Sequence, residues 1–294
     1  MKRDIFKGHL FLLIVILITM FSGLLDKFIP VFWFDLIHQP IFIALPAIIY
    51  VFIRKKNLSR TFRINPVSFK NILMLVLITL VMQPAVYLLA SIAQVIFGNQ
   101  LEYLFSDMTS QPFWYLLLTV AVAPAICEEL VLRGVVMDAY RGQSLYTVII
   151  MNGLLFGLFH MNINQFVYTF FMGVVLSLCV YYTNSIFAGM IIHFTNNFLS
   201  IFVLKYPESL YAKLEYWFFA LETPLDIVKL IVLGFISFML TFRLVNRMGY
   251  RNRRLYLNDA SALSHEPILN WPLVILSGLF LIFSILLTLR VSSI

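Results

Sequence analysis

Residues 112–140 read PFWYLLLTVAVAPAICEELVLRGVVMDAY. An apolar run of this length suffices to cross a bilayer, whose hydrocarbon core takes about 20 residues of α-helix. Yet near its middle stand two adjacent carboxylates, Glu128 and Glu129, and an arginine, Arg133. An ionisable residue inside a span costs roughly 2.5 to 3.5 kcal/mol on insertion scales, so three in such a short stretch require a common reason. Further along, two other apolar runs are interrupted in the same way, by Phe156-Gly157-Leu158-Phe159-His160 and by His193-Phe194-Thr195-Asn196-Asn197. A buried polar site shared by these runs is the simplest explanation.

The whole chain follows the pattern of that first stretch: it is 61% hydrophobic and 12% charged over 294 residues. Apolar runs of helical length recur near residues 9–25, 39–53, 71–97, 112–140, 145–161, 165–182, 186–204, 226–246 and 270–290. The expected fold is therefore all-α, a polytopic transmembrane helical bundle of eight or nine spans. Lys2, Arg3 and Lys7 precede the first run as they would in a secretory signal, but no small-x-small cleavage site follows, so the run reads as an uncleaved helix. No repeat, low-complexity tract or Gly/Ser linker divides the sequence. Residues 1–294 read as a single integral membrane domain with a catalytic core at 110–204. The last span, after the polar stretch 258–265, reads as a peripheral addition. Residues 207–222 carry Tyr211, Tyr216, Trp217 and Phe218 among Glu208, Lys213 and Glu215, the composition of an interfacial segment.

The formal net charge of +7 raises the question of nucleic acid. The basic residues, however, fall in particular loops, as orientation by the positive-inside rule requires. Arg247, Arg251, Arg253 and Arg254 form the densest run with no aromatic or Gly-rich recognition motif beside them, so anionic lipid is the expected partner. The loop from Arg54 to Lys70 is strongly basic, whereas 98–111 holds Glu102 and Asp107 and no Lys or Arg. Alternation from a cytoplasmic N-terminus then places Arg141 and the 243–254 segment inside and the C-terminus outside. The chain reads as a bacterial plasma-membrane protein. The tail Arg290-Val291-Ser292-Ser293-Ile294 has no Cys four residues from its end, so the protein is not expected to be prenylated itself. Cys127 and Cys179 lie within apolar runs, which argues against a disulfide framework.

Helix geometry divides the roles of the two adjacent acids. Glu129 and Arg133 stand i, i+4 with the acid N-terminal, the favourable orientation for a side-chain ion pair. Glu128 lies about 100° further round the helix with no basic residue three or four positions away, and so points elsewhere. A desolvated, unpaired carboxylate of this kind suits a general base. At about 1.5 Å per residue, Glu128 is roughly 21 Å from Gly142 and His160 roughly 24 Å from Ser144. The two helices joined by the turn at 141–144 therefore bring Glu128 and His160 to similar depth. His193 and Asn197, again i, i+4, share one stripe of a third helix, where both can donate to a developing oxyanion. Pro124, four residues before Glu128, removes a backbone hydrogen bond from the first of these helices.

These three motifs, Glu-Glu-x-x-x-Arg, Phe-x-x-x-His and His-x-x-x-Asn, each in its own helix and in this order, resemble the CPBP family of intramembrane proteases. That family includes the type II CAAX prenyl endopeptidases and bacteriocin-processing or self-immunity proteins. The resemblance implies that Glu128 and His160 activate the attacking water, that His193 and Asn197 stabilise the oxyanion, and that Glu129 and Arg133 support the first motif. It implies a membrane-associated or prenylated CAAX-like peptide substrate and no cofactor. Three other readings stand beside it. One is a zinc protease in which His160, His193 and a carboxylate hold the metal, although the chain lacks a His-Glu-x-x-His arrangement. Another is a non-catalytic immunity or scaffold protein of the same fold. The last is a proton-coupled transporter, which the lack of an inverted repeat disfavours.

Overall fold

The computed structural model describes residues 3–25, 27–98, 107–252 and 266–292. Lys2, Glu102, Arg253, Arg254, the stretch 258–265 and the last two residues of the tail lie outside the described residues. The chain is an all-α bundle: α1 Asp4–Ser22, α2 Val31–Ile53, α3 Phe69–Phe97, α4 Phe113–Ala139, α5 Leu145–Phe159, α6 Ile163–Thr183, α7 Ile186–Lys205, α8 Leu210–Phe219, α9 Pro224–Asn252 and α10 Trp271–Ser292. Eight of these are long and apolar enough to cross a membrane, and α5 is a shorter apolar helix. The run expected at 39–53 begins earlier, at Val31, because Pro30 sits at the helix start where its missing N–H costs nothing. Pro40 opens a wider π-helical turn, Pro40–Ala44, and Pro46 stands in the first turn of the α-helical stretch that follows it. At 15 residues α5 measures about 22 Å, short of a hydrocarbon core of about 30 Å. The turn after it, with His160, leads into α6, where Asn164 Nδ2 donates to the Gly98 carbonyl at the end of α3.

Close approach of α5 and α6 depends on glycine. A Cβ on Gly173 would lie 2.8 Å from the Cα of Gly153, and one on Gly157 would lie 2.7 Å from the Phe166 ring. Small residues let apolar helices meet backbone to backbone where no hydrophobic effect drives them together. On the opposite side α9 packs on α3 through a polar insertion. Pro84 interrupts α3, and the Ser237 hydroxyl of α9 donates to the Val81 carbonyl at 2.6 Å while accepting from the Ala85 amide at 3.2 Å. The hydroxyl thus bridges a carbonyl and an amide that are partners, i to i+4, in an unbroken helix.

One end of the bundle is tied by the basic loop between α2 and α3. Lys56 pairs with Asp138 at 2.8 Å, Arg141 pairs with the same carboxylate at 2.7 Å, and Arg141 also donates to the Arg60 carbonyl. The turn between α6 and α7 has no charge of its own to place it, but it docks on this loop. Asn65 Nδ2 donates to the Asn184 carbonyl at 2.7 Å, Ser185 Oγ donates to the Asn65 carbonyl at 2.5 Å, and the Ile186 amide donates to the Arg63 carbonyl at 3.1 Å. At this end α10 is fastened to α1: the Glu266 carboxylate accepts from the Ile5 and Phe6 amides, at 3.1 and 2.9 Å, capping α1. His9 of α1 bridges Asn270 and Tyr140.

At the far end α8 lies between α7 and α9, with Tyr216 and Trp217 exposed and Phe219 stacked on Tyr87 at 4.4 Å. Its Glu215 is buried, and burial pushes this carboxyl up to about 7 from its ordinary 4.5. An acid whose folded-state affinity for the proton exceeds its unfolded one stabilises the packed form at low pH and loses that contribution as pH rises from about 4.5 through 7. The seating of α8 is therefore expected to loosen through that window, read as a change in Trp217 fluorescence in detergent. Glu215→Gln should abolish the transition, and a transition that persists in that variant would show that another group is responsible.

Candidate active site

Glu128 and Glu129 lie on a short α-helical stretch, Ala123–Glu129, flanked by π-helical turns at Leu117–Val122 and Leu130–Val136. The extra residue in each wide turn rotates the residues C-terminal to it about the helix axis, and such turns are frequent at functional sites. Pro124 opens the central stretch. Its ring nitrogen leaves the Val120 carbonyl without the donor an α-helix would supply, and Asn197 Nδ2 of α7 donates to that carbonyl at 2.9 Å.

Glu129 and Arg133 form the ion pair their spacing predicts, Arg133 Nη1 to Glu129 Oε1 at 2.8 Å, with both side chains wholly buried. His193 Nδ1 reaches the same oxygen at 3.1 Å. Since an ionised carboxylate only accepts, Nδ1 carries the proton and Nε2 is left for chemistry. Gly189, one turn before His193, makes this approach feasible, because a Cβ there would collide with Glu129 Oε2. The Arg133 guanidinium lies over the Phe156 ring, 4.3 Å from its centroid. The same ring meets His160 at 4.8 Å and His193 at 5.6 Å, both nearly perpendicular. Phe156 is thus the apolar hub on which the three cationic or ionisable groups converge.

His160 Nδ1 donates to the Phe156 carbonyl at 2.8 Å, which again fixes the tautomer and frees Nε2. Glu128 is 9% exposed, and its Oε2 is buried with no hydrogen-bond partner among the described residues. Glu128 lies within electrostatic reach of His160 on the turn after α5 and of Tyr168 on α6. Among the described residues no cluster of three or more His, Cys, Asp or Glu is arranged to hold a metal ion.

The structure thus gathers Glu128, Glu129, Arg133, His160 and His193 into one constellation. It joins Asn197 to that constellation through α4 rather than by direct contact, because both ends of the Asn197 amide are bonded: Nδ2 to Val120 and Oδ1 to Asn196 Nδ2 at 3.1 Å. Several supporting residues escape a sequence reading. Tyr168 lies in a run of ordinary aromatic spacing. Arg63 belongs to the basic loop whose charges read as orientation signals, yet its Nη1 donates to the Arg133 carbonyl at 2.8 Å. Gly189 has a signal only in retrospect, as a glycine one turn from His193.

Residues 110–199 match a family model described as type II CAAX prenyl endopeptidase Rce1-like. The matched segment runs from just before α4 to within α7 and holds all three motifs, consistent with the CPBP/CAAX protease family. No curated protein and no solved structure matches the chain.

The closeness of α7 to Glu129 makes Gly189→Ala a sharp probe. One methyl group must push α7 off α4, a strain worth about 1–3 kcal/mol. We expect a lower melting temperature in detergent, together with weakened activity as His193 moves from Glu129. A variant melting like wild type would contradict the packing of α7 on Glu129.

Proposed function

We propose that this Rce1-like chain is an intramembrane glutamate-dependent endopeptidase that hydrolyses a peptide bond of a membrane-associated or prenylated CAAX-like substrate. The observation that carries the proposal is the division of labour between the adjacent acids. Glu129 is committed to Arg133 and His193, whereas Glu128 Oε2 is buried with no hydrogen-bond partner among the described residues and lies within electrostatic reach of His160.

In this reading Glu128 accepts a proton from a water that His160 orients through its unprotonated Nε2, and the water oxygen attacks the scissile carbonyl. The negative charge that develops on the carbonyl oxygen is met by His193 and Asn197. His193 can donate from Nε2 only as an imidazolium, since Nδ1–H already serves Glu129, and the carboxylate of Glu129 is its counter-ion. Asn197 keeps one Nδ2 hydrogen on Val120 and offers the other. As the tetrahedral intermediate collapses, Glu128 returns its proton to the departing amine, the C–N bond breaks and a carboxylic acid product remains. The step needs no metal. The end of the bundle with the basic loop faces the cytoplasm in this reading, with the N-terminus, as in a bacterial plasma membrane.

The test is cleavage of fluorogenic peptides, with and without a farnesyl group on a C-terminal Cys-a-a-X sequence, by purified protein in detergent with chelator present. Glu128→Gln and His160→Ala should each slow cleavage by about 10²–10⁴-fold, the usual worth of general acid–base catalysis, with little change in melting temperature. A Glu128→Gln protein as fast as wild type would sink the proposal, as would complete inhibition of wild type by chelator. Loss of cleavage with retention of cellular function would point instead to a non-catalytic membrane role.

A further inference from the structure

Beside the catalytic constellation runs a chain of side-chain amides that begins outside the matched segment. Gln83 of α3 is buried next to Pro84, and its Nε2 donates to the Thr79 carbonyl at 3.0 Å and to Asn196 Oδ1 at 3.2 Å. Asn196, also buried, donates from Nδ2 to Asn197 Oδ1 at 3.1 Å, and Asn197 donates from Nδ2 to the Val120 carbonyl at 2.9 Å. Amide nitrogen and oxygen are interchangeable in shape, so the direction of such a chain is set by its ends. Both ends here are backbone carbonyls, which only accept. The Thr79 carbonyl forces the Gln83 nitrogen towards α7, and the Val120 carbonyl forces the Asn197 nitrogen towards α4. Each internal link then has one donor and one acceptor.

We infer that Gln83 is a positioning residue for the oxyanion site: through Asn196 it fixes the orientation of the Asn197 amide, so that Asn197 presents a hydrogen rather than a lone pair to the substrate. This rests on the reading of Asn197 as an oxyanion donor. With Gln83 lost, Asn196 has no fixed donor at its oxygen and can turn over, and Asn197 Oδ1 then loses its partner. The carbonyl of Val120 still favours the working orientation, but the amide is no longer held from both sides. The consequence falls on the chemical step, since the ground-state substrate carbonyl needs this donor less than the oxyanion does.

The experiment is steady-state cleavage of whichever fluorogenic peptide the wild type accepts, by wild type, Gln83→Met, Asn197→Ala and the double variant, each with its melting temperature. Gln83→Met, which keeps length and volume but has no donor, should lower kcat by about tenfold or more, less than the 10²–10³-fold loss of an oxyanion donor itself, and leave KM within about twofold. In the Asn197→Ala background it should cost no further kcat, because it acts only through Asn197. Wild-type kcat in Gln83→Met would overturn the inference. So would a full additional loss in the double variant, which is what general loosening of the bundle predicts. Asn197→Ala at wild-type kcat would remove the oxyanion reading, and the role of Gln83 with it. Where wild type cleaves none of the peptides, melting temperatures decide: losses from the two single changes that fail to add in the double variant support the amide chain, and additive losses refute it.

Discussion

The buried pair of Glu129 and Arg133 is the interaction on which the rest of the bundle turns. Two charges with no exposure to water carry a desolvation cost that their attraction offsets only if geometry is good and the remaining polar atoms find partners. Part of that support comes from other helices, with His193 on the shared carboxylate oxygen and the Phe156 ring beneath the guanidinium, while Glu129 Oε2 and Arg133 Nε have no hydrogen-bond partner among the described residues. Removing either member of such a pair strands a buried charge at a cost of about 3–5 kcal/mol, so α4, α5 and α7 are held in one relative arrangement. In the same arrangement the Arg133 guanidinium is turned to Glu129, and Glu128 Oε2 has no hydrogen-bond partner among the described residues.

A second constraint runs through the structure. A broken helix in lipid leaves backbone groups that water cannot satisfy, so protein must. At Pro124 the Val120 carbonyl is taken by Asn197; at Pro84 Ser237 spans the gap between Val81 and Ala85; within the π-helical turn after Glu129 the Arg133 carbonyl is taken by Arg63. Each repair comes from a different helix or loop. Breaks that admit the unusual backbone of α4 therefore also serve as the points where distant segments are fixed to it.

These repairs bear on what the sequence could and could not reveal. Local periodicity makes the ion pair at Glu129 and Arg133 readable, along with the membrane class and the shared stripe of His193 and Asn197. The opposing face of each side chain is set by a partner tens of residues away, and there the reading is incomplete. His193 and Asn197 look alike as donors on one stripe, yet one hydrogen-bonds to a carboxylate and the other to a backbone carbonyl. Helix α5 is shorter than its apolar run suggests for a related reason. His160 and Met161 are apolar or aromatic enough to extend the run, but the αL conformation of Met161 and the Asn162 cap of α6 end it.

The match to a known family ends within α7, but the site does not. Arg63, Gln83 and Ser237 lie outside residues 110–199 and act on α4 directly, through the amides of α7, or by fixing α3. What they bind within the bundle is mostly backbone carbonyl, an acceptor present at every residue and indifferent to which side chain donates. Motif residues must match one another in charge and shape, as Glu129, Arg133 and His193 do, and so leave a pattern in sequence. A carbonyl needs only a donor at the right place, which arginine, serine or an amide can supply equally. The support of this candidate site is accordingly specific in three dimensions while remaining nearly silent in one.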